Sequence, residues 1–171
     1  MLPSDRVILK PHDPAWADGF QAQKHRIAAA LQGHLANPKE DIQHIGSTAI
    51  PHLVAKGTID ILVGLRDAAV LDDCVSLLTP LGYTRYPQGE SSPQRRYLYR
   101  QEHTSWTHAL HLIARNDPLW ERLTRFRDIL LARQELRDVY GRLKQVYAGQ
   151  LGHDVAAYTR AKDAFILAVI G

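Results

Sequence analysis

The sequence has a single cysteine and no long hydrophobic run. Cys74 alone cannot form an intrachain disulfide, so the fold does not depend on an oxidising compartment. No stretch approaches the roughly 18 apolar residues that a membrane-spanning helix needs. Asp5, Arg6 and Lys10 interrupt the first residues before the apolar segment of a signal peptide can form. These absences predict a cytoplasmic protein that does not bind a membrane.

Excess charge of one sign is also scarce. There are 21 Lys+Arg and 18 Asp+Glu, so the formal net charge is +3, which is a weak argument for nucleic-acid binding. The 171 residues, 45% of them hydrophobic, are typical of one globular domain with a sizeable core. The composition is unusual only in its nine histidines.

Short strands and helices alternate along the first two thirds of the sequence, and helical patterns fill the rest. Apolar spacing and acidic caps before proline predict a helix after Asp13, a second after Asp67 and further helices from Asn116, the last over 154–170. Strands are predicted over 7–9, 42–45, 58–65, 83–86, 96–99 and 106–113. The fold class is therefore α+β, a small mixed β-sheet flanked by helices. We expect a single domain over 1–171, with the sheet in about 1–115 and packed C-terminal helices in about 116–171.

The stretch from His44 to Val63 offers the most chemistry. A strand that ends at Gly46 and enters a short turn at Ser47 exposes backbone N–H groups that suit a phosphate, and the Thr48 hydroxyl adds a donor. Asp60 lies on a strand of Ile, Leu and Val, where a carboxylate needs a compensating partner. That partner is either a divalent cation on a nucleotide's phosphates, or a backbone donor or Lys56.

Four segments carry a family resemblance: VILKPHDPAWADGF near the start, HIGSTAIPHLVAKGTIDILVGL in the centre, FRDIL at 126–130 and YTRAKDAFI near the end. They resemble the GrpB-like family of predicted nucleotidyltransferases. The resemblance implies a nucleotidyltransferase fold, whose motif is Gly-Ser followed by a strand with Asp-x-Asp or Asp-x-Glu and by a third carboxylate on a later strand. Gly46, Ser47 and Asp60 match its first parts. The implied activity is the Mg- or Mn-assisted transfer of a nucleotidyl group from a nucleoside triphosphate to an unknown acceptor.

Two carboxylates of that motif are missing. Leu62 occupies the position of the second, and no acid lies between Glu102 and Asp117, where the third is expected. Two metal ions in such enzymes are held mainly by these carboxylates.

Histidines are the candidates to replace them. Alternation on the last strand separates two faces: Thr107, Ala109, His111 and Ile113 on one, Trp106, His108, Leu110 and Leu112 on the other. One histidine can therefore share a face with Asp60, and the resemblance favours His111 as its catalytic partner. With His44 projecting toward the same pocket, Asp60 and His111 would form a metal set typical of zinc, iron or manganese. The alternative is that each histidine is a hydrogen-bonded core residue.

Basic and aromatic side chains complete the predicted nucleotide site. Arg127 and Lys162 match family positions, and Tyr158 lies one turn before Lys162. Lys56, just before Asp60, and the arginines Arg95, Arg96 and Arg100 suit a triphosphate or another polyanion. The arginines are interleaved with tyrosines that suit stacking on nucleobases, and the alternative is a charged edge strand. The mixed charges between Arg115 and Lys144 are predicted to be exposed helix faces.

Three hypotheses follow. The first is a nucleotidyltransferase, the second a catalytically degenerate nucleotide- or RNA-binding module of the same fold, and the third a metal-dependent hydrolase built on Asp60 and histidines. The sequence has no P-loop and no dinucleotide fingerprint. Cys74 falls on an apolar helix face, so we expect it to pack rather than react.

Overall fold

The computed structural model describes residues 7–171, so Asp5 and Arg6 lie outside the described residues. The strands are β1 (Ile42–Ile45), β2 (Ile59–Leu65), β3 (Thr84–Arg85), β4 (Arg95–Glu102) and β5 (Ser105–Ala114). The helices are α1 (Ala15–Ala30), α2 (Pro38–Asp41), α3 (Leu71–Leu78), α4 (Pro118–Ala132), α5 (Gln134–Leu151) and α6 (Val155–Ile170). Across 7–171, no helix combines the length and the apolar character needed to cross a membrane.

The strands form one mixed sheet in the order β1-β2-β5-β4-β3. β2 and β5 pair in parallel, and the other neighbours are antiparallel. Helices cover both faces of the centre, which explains why β2 is nearly continuous in apolar residues. The predicted α+β class with a small mixed sheet is confirmed.

Each face of the sheet has its own core. We call the face that bears Asp60 the front face and the opposite one the back face. On the back, Phe20 and Ile27 of α1 and Cys74 of α3 are buried against the sheet. Cys74 is fully buried, as predicted, and burial raises the pKa of its thiol to about 11. On the front, Trp120 of α4 packs on residues of β1, β2 and β5.

Several element boundaries differ from prediction. The expected strand over 7–9 does not form, because the chain makes only an isolated bridge between Lys10 and Ala55, and Pro11 has no N–H to continue it. The predicted elements leave out the four-residue α2, whose first turn is capped by the Asn37 side chain. The helix starts predicted from Asn116 and at about 154 are confirmed, and the Asp117 and Asp154 side chains there each accept a backbone N–H.

A bulge changes the faces at the start of β5. The register shifts between Arg100 and Gln101, so Gln101 pairs with Trp106 and Thr107 becomes the extra residue. The predicted alternation, which placed Trp106 with His108, is therefore wrong at this position. The Trp106 ring lies on the front face, stacked on Tyr99 with ring centroids 4.5 Å apart.

Candidate functional site

The strand register determines which predicted residues can meet. Asp60 of β2 pairs with Ala109 of β5, and Leu62 pairs with His111. His111 therefore shares the front face with Asp60, and Tyr97 of β4 lies beside it with ring centroids 4.8 Å apart. Burial, with a contribution from Arg95, lowers the pKa of His111 to about 4, so its imidazole is neutral near pH 7.

His44 lies on the back face, contrary to prediction. Ile45, not His44, pairs with Asp60. The His44 ring stacks on Phe20 with centroids 4.7 Å apart, and its Nε2 lies 3.0 Å from Thr48 Oγ1. The proposed metal set of Asp60, His111 and His44 is not assembled, and within 7–171 no group of three His, Cys, Asp or Glu side chains is arranged to hold a metal ion.

A two-ion carboxylate site also fails to fit. Leu62, where the second carboxylate is expected, is fully buried. It packs with Ile45, Ile113 and Trp120 in the front core, so α4 closes this position. The neighbouring positions on β5 are Ala109 and His111, neither of which supplies a carboxylate.

The Gly46–Ser47 turn holds the Asp60 carboxyl from one side. Gly46 has φ 69°, which glycine adopts without strain, and a Cβ there would stand 2.9 Å from both Cβ and Cγ of Asp60. A 3₁₀ turn over Ser47–Ala49 follows directly. Thr48 is 2% exposed, and its Oγ1 lies 3.0 Å from the Nε2 of His44.

Three lysines, from three different parts of the chain, act on Asp60. Burial raises the pKa of the Asp60 carboxyl to about 6, and the charges of Lys56, Lys162 and Lys144 oppose that rise. Among residues 7–171, no Nζ lies within 4.0 Å of the Asp60 oxygens. We call these three residues, half of the six lysines in the sequence, the lysine trio. Their charges lower the pKa of the carboxyl without a direct ion pair.

Lys144 is the site residue that the sequence analysis missed. It was predicted to be exposed, yet it is 2% exposed and its Nζ donates to the Val54 carbonyl. Burial, together with Lys162, lowers its pKa to about 7. The sequence feature that indicates the burial of Lys144 is its position one helical turn after Tyr140, a buried residue of the same helix.

Lys162 and Tyr158 of α6 complete the group. The Lys162 Nζ lies 4.4 Å from the centroid of the Tyr158 ring, a cation–π arrangement. Burial, with the charge of Lys56, lowers the pKa of Lys162 to about 8. Tyr158 is buried, and its hydroxyl has no partner among the described residues.

The predicted arginine contacts are engaged elsewhere. Arg127 donates from Nη1 to the His44 carbonyl and to Gln43 Oε1, each at 2.9 Å, and so ties α4 to β1. Arg95 forms a bidentate pair with Asp117, at 2.9 and 2.7 Å. Arg96 likewise binds Asp72. The lysines rather than these arginines carry the positive charge near Asp60.

Aromatic residues extend the front face toward the edge of the sheet. Their rings touch one another through stacked, tilted and edge contacts, with centroids 4.5 to 6.3 Å apart; they are Tyr86, Tyr97, Tyr99 and Trp106. We call this group the aromatic row. The Trp106 Nε1 is buried and has no partner in the described part of the chain. The row begins next to His111, at the end of the site away from α4.

Acid should destabilise the protein through its buried histidines. His44, His108 and His111 each have a folded pKa of about 4 because burial disfavours the charged ring, against 6.5 when unfolded. The stability from neutral rings is therefore present above pH 6.5 and lost as pH falls toward 4. Protonation of Asp60, with its folded pKa raised to about 6, partly offsets this loss. We expect a net loss of about 2–4 kcal/mol between pH 7 and pH 5, measured by urea unfolding.

His108→Gln gives the control for this pH dependence. The variant should lose less stability than the wild type over the same interval, because one titrating ring is gone. An identical pH profile in variant and wild type would contradict the assignment to His108.

The fold and the site together define a class: an α+β domain in which a Gly-Ser turn packs against a strand aspartate, and in which lysines of the loop before β2 and of the C-terminal helices act on that aspartate. The chain belongs to the GrpB family, whose model, described as GrpB protein, matches residues 6–171. This confirms the family inferred from the sequence.

Relatives agree with this assignment. The chain is 33% identical to UPF0157 protein PA4798 of Pseudomonas aeruginosa over 98% of its own length and 67% of that protein. It is 29% identical to UPF0157 protein YqkA of Bacillus subtilis over 97% of its length, and it spans only 47% of YqkA. The crystal structure of GrpB from Enterococcus faecalis superimposes with a TM-score of 0.82 at 28% identity, covering 95% of this chain and 94% of that one. The Cid1 poly(U) polymerase with MgGTP bound gives a TM-score of 0.49 at 12% identity over 88% and 50% of the chains, and that likeness carries no argument about activity.

Proposed function

We propose that this domain binds a nucleoside triphosphate, with its phosphate groups between the Ser47 turn and the lysine trio. The observation that carries the proposal is the Gly46 turn packed against Asp60, on whose carboxyl pKa the positive charges of Lys56, Lys162 and Lys144 all act. Lys144 is buried and Lys162 is half-buried, which is costly for an ammonium group, whereas Lys56 is exposed. Positive charge kept at this cost favours a polyanionic ligand.

The aromatic row offers a surface for the base of the nucleotide. The aromatic row begins beside His111, and half-buried aromatic rings stack on nucleobases of any type. The same surface is where an RNA acceptor would bind. The sequence resemblance to nucleotidyltransferases, through Gly46, Ser47 and Asp60, points to the same ligand.

Lys162→Met tests this proposal. We expect the affinity for ATP, measured by isothermal titration calorimetry with and without Mg²⁺, to fall at least tenfold, because one charge-assisted phosphate contact is worth about 1.5–3 kcal/mol. Lys39→Met is the matched control, since Lys39 is exposed on α2 and should bind ATP as the wild type does. Equal affinities in the two variants, or no binding of any nucleoside triphosphate by the wild type, would refute the proposal.

Nucleotidyl transfer is the second candidate function, favoured by the state of Asp60. Its carboxyl pKa, raised to about 6 by burial, suits a general base near neutral pH. An acceptor hydroxyl would attack the α-phosphorus, the bond to the bridging oxygen would break, and the hydroxyl proton would pass to Asp60. The lysine trio would neutralise the departing pyrophosphate. Retention of ATP binding with loss of pyrophosphate release in Asp60→Asn would support this step.

A metal-dependent hydrolase built on Asp60, His44 and His111 is not proposed. His44 lies on the other face of the sheet. Leu62, at the position of the second carboxylate, is buried against Trp120.

A further inference from the structure

The front face keeps the Gly-Ser turn and the strand aspartate but not the means to hold two metal ions. The second carboxylate position is filled by Leu62 in a closed apolar core, and α5 and α6 bring amines to the same aspartate. In a transferase site lined by carboxylates, metal ions supply the positive charge. Here lysine side chains supply it.

We propose that the site binds the diphosphate or triphosphate of its ligand without a divalent cation, because the ammonium groups of Lys56, Lys144 and Lys162 supply the charge that two metal ions supply elsewhere. The inference rests on the proposed function and goes beyond it by assigning the ligand's charge class and its independence of metal.

Two of the three lysines are held by contacts other than an ion pair with Asp60. Lys144 is anchored through its Nζ to the Val54 carbonyl, and Lys162 is positioned over the Tyr158 ring. Neither reaches the Asp60 oxygens within 4.0 Å, among the residues described. Each anchor leaves further N–H donors of the ammonium group free for phosphate oxygens, since an ammonium has three donors.

The net charge of the site indicates which class of anion it binds. Three ammonium groups and one carboxylate give the site a net charge of at most +2. That charge complements two or more adjacent phosphate charges, as in pyrophosphate or the tail of a nucleoside triphosphate. A monophosphate would span fewer of the lysines, which come from the loop before β2, from α5 and from α6.

Asp60 then opposes the anion instead of recruiting a cation for it. At a metal site, removing the carboxylate weakens binding of the metal-bound phosphate. At a lysine site, removing it eliminates a repulsion and strengthens binding. The sign of the Asp60→Asn effect therefore separates the two descriptions.

Titration calorimetry with pyrophosphate and with ATP, each in excess EDTA and in Mg²⁺, tests the inference. We expect wild-type affinity in EDTA to equal or exceed that in Mg²⁺, and Asp60→Asn to bind about 5- to 30-fold more tightly than the wild type in EDTA. Asp138→Asn is the control, because it removes a carboxylate from the exposed side of α5 and should change affinity less than twofold.

The outcomes distinguish the two proposals. Binding that requires Mg²⁺, or that weakens in Asp60→Asn, would overturn metal independence while leaving nucleotide binding intact. Failure of both ligands to bind under either condition would overturn the proposed function itself. Equally tight binding of inorganic phosphate and pyrophosphate would overturn the assigned ligand class.

Discussion

Leu62→Asp is expected to lose most of the stability of the protein. The substitution restores the Asp-x-Asp spacing, but it places a carboxylate among Ile45, Ile113 and Trp120 in the apolar front core. An unpaired buried charge of this kind costs about 4 kcal/mol or more, which is a large part of the 5–15 kcal/mol by which a typical domain is stable. Urea unfolding at pH 7 measures the loss.

Leu62→Met is the matched variant, because it preserves volume and polarity and should cost no more than about 1.5 kcal/mol. If Leu62→Asp unfolded at the wild-type urea midpoint and gained affinity for Mn²⁺, the front face would have room for a two-ion site after all. That result would contradict both the closure of this position by α4 and the assignment of the site's charge to lysines.

Lys144→Met is expected to raise stability and to remove pyrophosphate binding. The folded pKa of Lys144 is about 7 because burial disfavours its charge, against 10.5 when the chain is unfolded. Between pH 7 and 10.5 the Lys144 amine therefore binds its proton more tightly in the unfolded chain than in the folded one. This difference lowers the stability of the fold at pH 7, and the destabilisation decreases as pH rises from 7 to 10.5. After allowance for the lost bond to the Val54 carbonyl, we expect a gain of about 1–3 kcal/mol at pH 7. The melting temperature should rise by about 2–4 °C for each kcal/mol.

Calorimetric melting at pH 7 and pH 9 measures whether Lys144→Met raises the stability and how that change depends on pH. The advantage of Lys144→Met over the wild type should shrink at pH 9, where the wild-type amine is neutral in the folded state. Lys39→Met should melt like the wild type at both values, since it removes an exposed charge. A variant less stable than the wild type by the same amount at both pH values would mean that Lys144 is a structural link to Val54 and not a ligand-binding group.

Much of the architecture was accessible from the sequence. Alternation showed that one of His108 and His111 shares a face with Asp60, and the family resemblance selected His111, which the strand register confirms. The acidic cap before Pro118 predicted the start of α4. These features depend on neighbours in the sequence, which local pattern can resolve.

The wrong predictions concern features that depend on contacts between distant parts of the chain. The face occupied by His44 depends on the register between β1 and β2, which alternation within one strand does not determine. The face of Trp106 depends on a bulge one residue away. The burial of Lys144 depends on packing against Val54, 90 positions earlier in the chain, so its helix pattern alone resembled an exposed surface.

The parallel pairing of β2 with β5 has a consequence for how the molecule reaches its native state. Asp60 lies beside Ala109, and the amines that surround it come from as far along the chain as Lys162. Contacts between residues so distant in sequence form late, because loop closure must be achieved before they contribute. Synthesis of the sheet alone would leave Asp60 without two of its three lysines, so competence to bind should appear only when the last helix docks.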